Sequence, residues 1–320
     1  MSLIERALER LKHEEAARKK QAQPADVHDS PATPAGPRPD NATRSVDLAT
    51  PTDIARPLPC RSDRLVNIDL DALRAAGAIA PANEERRLAE EYRIIKRPLL
   101  KAMTQGQPSQ LRNVVAVTSA LPGEGKTFTS VNLALSLALE RGREVVLVDG
   151  DSAKRHVTHL FRLDGEPGLL DAGHDPESAL QSTLVKTDLP SFYLLPAGTP
   201  HSEATEILRS ERTVALLAAL ASDPRRIVLI DCSPLLVTSE AGVLAALAGQ
   251  VVVVVKASDT PQEVVVRAVE AVTEDKPVSL LLNQVLSAPE RHYGYYYGGY
   301  GYGYKYGEKD VGSKAQEDRG

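Results

Sequence analysis

Five apolar runs mark the second part of the chain: "NVVAVTS" at 113–119, "EVVLVD" at 144–149, "RIVLID" at 226–231, "QVVVVVKA" at 250–257 and "VSLLLN" at 278–283. Near-continuous Val, Leu and Ile bounded by turn residues is the pattern of strands buried on both faces. Between the runs, apolar residues recur at helical spacing. A charged helix begins near Asn83, a second runs from Gly125 to about Leu139, and a short one follows Asp151. Strands alternating with helices predict an α/β fold, a doubly wound and mostly parallel sheet over residues 83–288. Ligands of such sheets bind beyond the carboxyl ends of the strands, so the residues after each run are the candidates for chemistry.

The flanks read differently. Residues 1–20 place Leu3, Ile4, Ala7, Leu8 and Leu11 on one face of a helix ringed by Arg, Lys and Glu. That face would dock on the chain's own domain, on another protein or on a membrane surface. Residues 21–82 are rich in Pro, Ala, Asp and Thr without periodicity and predict a disordered linker. Residues 289–320 hold eight of the ten tyrosines: Tyr293, Tyr295, Tyr296, Tyr297, Tyr300, Tyr302, Tyr304 and Tyr306, separated by five glycines and one lysine. No period of two or 3.6 is present, so a mobile tail is expected. Such a tail could self-associate, stack on single-stranded nucleic acid, or serve as substrate for an enzyme that modifies tyrosine.

Composition narrows these choices. The 320 residues carry a net charge of −5, contain no Trp and only three Phe, and so require an aliphatic core. An acidic balance argues against a nucleic-acid partner, which would be met by a basic face. Cys60 and Cys232 lie far apart without metal-ligand spacing, which predicts two unpaired thiols in a reducing compartment. No run is long enough to span a bilayer and the N-terminus lacks a signal-peptide core, so a cytoplasmic location is expected.

After the first strand comes "TSALPGEGKTFTS". Its core, Gly123, Glu124, Gly125, Lys126 and Thr127, followed by Phe128, lies between a strand and a helix, the context that a phosphate-binding loop needs. Glycines let backbone N–H groups turn toward phosphate oxygens, the helix start adds its positive dipole end, and Lys126 reaches the β and γ phosphates. Thr127 can offer its hydroxyl to Mg²⁺. The usual pattern opens with Gly; here Ala120 holds that position. The second strand ends at Asp149 and Asp151, the third at Asp231. Three acids at strand exits around one lysine and one threonine form a constellation for Mg²⁺ and a nucleotide. Asn283, at the end of the fifth run, is placed to bond an adenine ring or to act as a turn residue. Cys232 reads as a small buried residue, and His156 with His159 as a solvated pair at i, i+3.

The motifs "PGEGKT", "LVDGD" and "LIDCSP", followed by the tyrosine cluster, resemble in that order the bacterial tyrosine kinases of capsule and exopolysaccharide synthesis. The opening "MSLIERALERLK" with "EEYRIIKRPLL" resembles the exosortase-associated autokinase branch. The resemblance implies a P-loop ATPase fold and agrees with the lack of any "HRD" or "DFG" run. It implies that Lys126 and the backbone of Gly123 to Gly125 hold the phosphates of ATP, that Thr127 and Asp151 hold Mg²⁺, and that Asp231 binds it through water. Asp149 is implied as the base for the incoming phenol. The family's Glu-x-x-Arg-x-x-Arg ring interface falls on Glu90, Arg93 and Lys96; Lys in the last place cannot make a bidentate fork. The basic residue that often follows the second acidic motif is shifted from Ala153 to Lys154.

The implied activity is ATP-dependent autophosphorylation of the tyrosine cluster in trans, controlling polysaccharide synthesis and export. The implied partners are other copies of the chain, a separately encoded inner-membrane chain-length or export protein and a tyrosine phosphatase, with peripheral attachment to the inner face of the plasma membrane. From Asn283 to Tyr306 the chain reaches about 75 Å when extended, enough for a neighbour's site. The alternative is an ATPase of the partitioning or cell-division-positioning type, driven to dimerise by ATP. Those relatives carry a further lysine at the start of the loop, which "SALPGEGKT" lacks. A nucleotide-sensing adaptor without turnover is a third possibility.

Overall fold

The computed structural model describes residues 58–61, 63–104, 111–172, 175–272 and 276–285. The expected N-terminal helix, most of the expected linker and the whole tyrosine cluster lie outside the described residues.

The sheet has eight strands: β1 (Leu65–Val66), β2 (Val114–Ser119), β3 (Glu144–Asp149), β4 (Val185–Thr187), β5 (Phe192–Leu195), β6 (Arg226–Asp231), β7 (Gln250–Lys256) and β8 (Val278–Asn283). Their spatial order is β1-β4-β5-β3-β6-β2-β7-β8, and every neighbouring pair is parallel except β4 with β5. All five apolar runs are strands, in the mostly parallel doubly wound arrangement that their alternation with helices predicts. Strands β2 and β6 are buried at every position.

Helices cover both faces: α1 (Leu70–Ala75), α2 (Glu85–Thr104), α3 (Lys126–Ala138), α4 (His156–Leu160), α5 (Pro176–Thr183), α6 (Ala204–Arg209), α7 (Glu211–Ala221), α8 (Ser239–Leu247) and α9 (Gln262–Glu270). Alternate residues of the strands feed two cores. Val115 and Val117 of β2 face Leu133, Leu137, Tyr92 and Leu99 on one side, while Val114 and Ala116 face Leu217, Leu220 and Leu244 on the other. Asn113, just before β2, donates from Nδ2 to the carbonyls of Ala221, Asp223 and Arg226, pinning the strand's start.

The expected linker boundary at residue 82 needs correcting. Residues 63–82 are part of the fold: β1 pairs with β4, Asp69 caps α1 through the Ala72 N–H at 2.9 Å, and Leu70, Leu73 and Ile79 are buried. Their apolar positions are divided between a two-residue strand and a six-residue helix, each too short to show a period, so the pattern hid them. Strands β1, β4 and β5 escaped for a related reason, being only two to four residues long.

Among the described residues no helix is long and apolar enough to cross a membrane. Cys60 and Cys232 are both free, as expected.

Candidate active site

Strands β2, β3 and β6 lie side by side and deliver their carboxyl ends to one place. The parallel register sets Asp149 of β3 opposite Asp231 of β6, and Asp231 opposite Val117 of β2. Between β2 and α3 the chain turns through Gly123 at φ 81° and Gly125 at φ 91°. Only glycine takes those angles without strain. Gly125 is also crowded, since a Cβ there would fall 2.0 Å from Asn283 Nδ2. Helix α3 starts at Lys126 with Gly125 as its cap, so its first N–H groups open toward the loop.

Five of the expected residues converge. Lys126 is buried and its Nζ lies 3.8 Å from Asp151 Oδ2. That oxygen is itself buried and accepts no hydrogen bond, while Oδ1 accepts the Lys154 N–H at 3.1 Å. Thr127 donates its hydroxyl to Asp231 Oδ2 at 2.7 Å, and Ser130 donates to Asp231 Oδ1 at 2.9 Å. Burial, and then the charge of Asp149, push the Asp231 carboxyl up to about 7. Asp149 is pushed up to about 6, chiefly by burial, against the hydrogen bonds of Thr158.

These residues fit a divalent cation carried on a nucleotide. Among the described residues no three His, Cys, Asp or Glu side chains are grouped to hold a metal alone. Mg²⁺ does not ask for such a cage, since it takes one or two carboxylates and completes its shell with phosphate oxygens and water. The orphaned Asp151 Oδ2, facing a buried lysine, is a buried anion with coordination to spare.

Other expectations change. Asp149 is not an open base: it is fully buried, and its Oδ2 accepts both the N–H and the hydroxyl of Thr158 at 2.7 Å. Thr158 Oγ1 in turn accepts from Ala197 N at 3.0 Å, so Asp149 ties α4 to the loop after β5. Asn283 faces the loop rather than open space for an adenine ring, donating to the Glu124 carbonyl at 2.9 Å, and Gln284 donates to the Gly123 carbonyl at 2.9 Å. Lys96 is buried and held within the chain, donating to Ser136 O at 3.0 Å and pairing with Glu140 at 2.6 Å. It is therefore not presented with Glu90 and Arg93, which are exposed and paired to each other at 2.5 Å. Phe128 follows in the first turn of α3, half-buried, and Cys232 is fully buried with its thiol pushed well up by burial. His156 and His159 are both exposed, as a solvated pair should be, and His159 pairs with Asp164.

Sequence reasoning missed Ser130, Thr158 and Thr260, and it missed the side chain of Glu124. Ser130 lies one turn beyond Lys126, and its spacing from the loop could have flagged it. The others meet their partners through tertiary folding alone.

A family described as "AAA domain" matches residues 112–278, more than half of the chain. Tyrosine-protein kinase YwqD of Bacillus subtilis is 29% identical over 212 residues, covering 65% of this chain and 86% of that protein. Tyrosine-protein kinase wzc of Salmonella typhimurium is 32% identical over 189 residues, covering 58% of this chain and 25% of the relative. The chain spans only 21% and 19% of the lengths of two Ralstonia proteins named EpsB. Among solved structures, the kinase domain of VpsO superposes with a TM-score of 0.51 at 28% identity, over 64% of this chain and all of that one. On this match the chain belongs to the AAA domain family, and it is similar to bacterial tyrosine-protein kinases.

Proposed function

We propose that the chain is an ATP-dependent protein-tyrosine kinase that phosphorylates the tyrosine cluster between Tyr293 and Tyr306 in trans. One observation carries the reading most: a buried lysine, a threonine hydroxyl and two carboxylates from β3 and β6 converge on a glycine loop at a helix start, with Asp151 Oδ2 left without a hydrogen-bond partner. When bound, Mg²⁺-ATP supplies the transferable phosphoryl group and a metal that offsets charge on its oxygens.

The chain's own residues divide the remaining work. The N–H groups of Gly123 to Thr127 and the Lys126 ammonium bind the phosphates. Thr127 Oγ1, Asp151 Oδ2 and, through water, Asp231 would hold the metal. Asp149, buried and bonded at both carboxylate oxygens, holds the Asp151 N–H and α4 in place beside the loop. A phenol titrates near 10, so its proton leaves as the phosphoryl group is transferred, to a phosphate oxygen or to water. Each phosphate adds roughly −1.5 to −2 charges, so several on one segment drive neighbouring copies apart.

The wider role that the sequence resemblance supports is control of exopolysaccharide or capsule synthesis at the inner face of the plasma membrane, with an inner-membrane chain-length or export protein as activator and a phosphatase as antagonist. Lys126→Met tests the core of this. The variant alone should acquire no phosphotyrosine with Mg-ATP, yet should be labelled when mixed with wild-type protein. Label on the variant alone would refute the assignment of the loop.

A further inference from the structure

Glu124 stands between the two left-handed glycines of the loop, yet it is only 2% exposed. A carboxylate pointing into a phosphate seat would repel its ligand, and the oxygens of Glu124 are engaged elsewhere. Oε2 accepts from the Leu121 N–H at 2.6 Å, closing the loop over its own first residues. Oε1 accepts from the Thr260 hydroxyl and from the Lys256 N–H at 3.4 Å. Lys256 ends β7 and Thr260 lies two residues before α9, so one side chain fastens the loop to the β7–α9 turn, more than 130 residues away.

We propose that Glu124 is a positioning residue for nucleotide binding, acting through the backbone N–H groups of the loop, with Thr260 as the other half of the fastening. The proposal rests on the reading of this loop as the nucleotide site. A loop with two glycines at positive φ has many alternative shapes when empty, and converging N–H dipoles repel one another. Holding it in one shape before the ligand arrives lowers the ordering cost of binding. Because the loop grips phosphates alike in the bound and reacting states, loosening it costs affinity rather than turnover.

The test uses the full chain and Mg-ADP as the binding probe, with autophosphorylation kinetics alongside. Thr260→Val keeps the shape of the side chain and removes the donor; Thr260→Ser keeps the donor. Thr260→Val should weaken Mg-ADP binding and raise the KM for ATP by about fivefold, the scale of one net hydrogen bond, with kcat within about twofold. Thr260→Ser should bind within about twofold of wild type. Glu124→Gln, which keeps one acceptor oxygen and points an NH₂ group at existing donors, should weaken binding at least as much as Thr260→Val. Should Glu124→Gln fail to fold, the Thr260 pair carries the test, its fold checked by thermal melting. Wild-type affinity in Thr260→Val, or a fall in kcat at unchanged KM, would overturn the proposal. Lys126→Met separates the two levels: if it also binds Mg-ADP normally, the nucleotide reading itself fails; if it alone loses binding, only the role of Glu124 and Thr260 fails.

Discussion

Asp231 shows how much of a site a single residue can disclose. Its place after "RIVLI" marks it as a strand-end carboxylate, and the structure adds two hydroxyl donors and a neighbouring acid. Burial raises it to about 7, whereas carboxylates of an unfolded chain titrate near 4. The native state therefore holds this proton more tightly than the unfolded state across roughly pH 4 to 7. As far as Asp231 is concerned, stability falls as pH rises through that window. Asp231→Asn mimics the protonated form, so the nucleotide-free variant should melt higher than wild type at pH 8, with the difference fading toward pH 5. Thermal melts of both proteins across pH check this, and a gap that stays constant with pH would contradict it. The residues legible in sequence were those tied to local context: Lys126 and Thr127 by the glycines around them, the aspartates by the strands before them. The partnerships of Glu124 with Thr260 and of Asp149 with Thr158 were not, because no spacing reports a hydrogen bond made through tertiary folding.

Among the elements, α2 carries the largest revision. Its motif positions Glu90, Arg93 and Lys96 share a helical face at i, i+3 spacing, and sequence alone gives no reason to separate them. The structure does: Tyr92, Lys96 and Leu99 lie on the buried side and Glu90 and Arg93 on the exposed one, so the long lysine stem runs inward and its ammonium meets the last turn of α3 and the residues just after it. Lys96→Ala should therefore lower stability by about 1–3 kcal/mol, through lost hydrogen bonds and packing, and leave the oligomeric state unaltered. Melting together with light scattering measures both; an unchanged melt with a dissociated assembly would restore Lys96 to the interface. Four long apolar runs declared their strands because burial on both faces leaves no room for polar positions; the fifth, β8, is an edge strand with Leu280 and Leu282 exposed, not buried on both faces as its run predicts. Short strands and the segment from residue 63 to 82 did not, since two to four residues carry no period and their burial comes from neighbours distant in sequence.

At the scale of the whole molecule, an acidic chain pairs an α/β domain of phosphate-loop type with a tyrosine cluster that begins ten residues beyond the end of β8. Strand β8 ends on the loop itself, where the amides of Asn283 and Gln284 hold the Glu124 and Gly123 carbonyls. The proposed substrate segment thus follows directly from residues that touch the proposed nucleotide site. The central claim is that this site phosphorylates that segment. The most direct measurement is peptide mass spectrometry of the purified full chain, phosphatase-treated and then incubated with Mg-ATP, beside the Lys126→Met variant. The account predicts phosphate on tyrosines between Tyr293 and Tyr306 in the wild type and none in the variant. An unmodified wild-type chain, modification elsewhere than on those tyrosines, or equal label in the variant would contradict it.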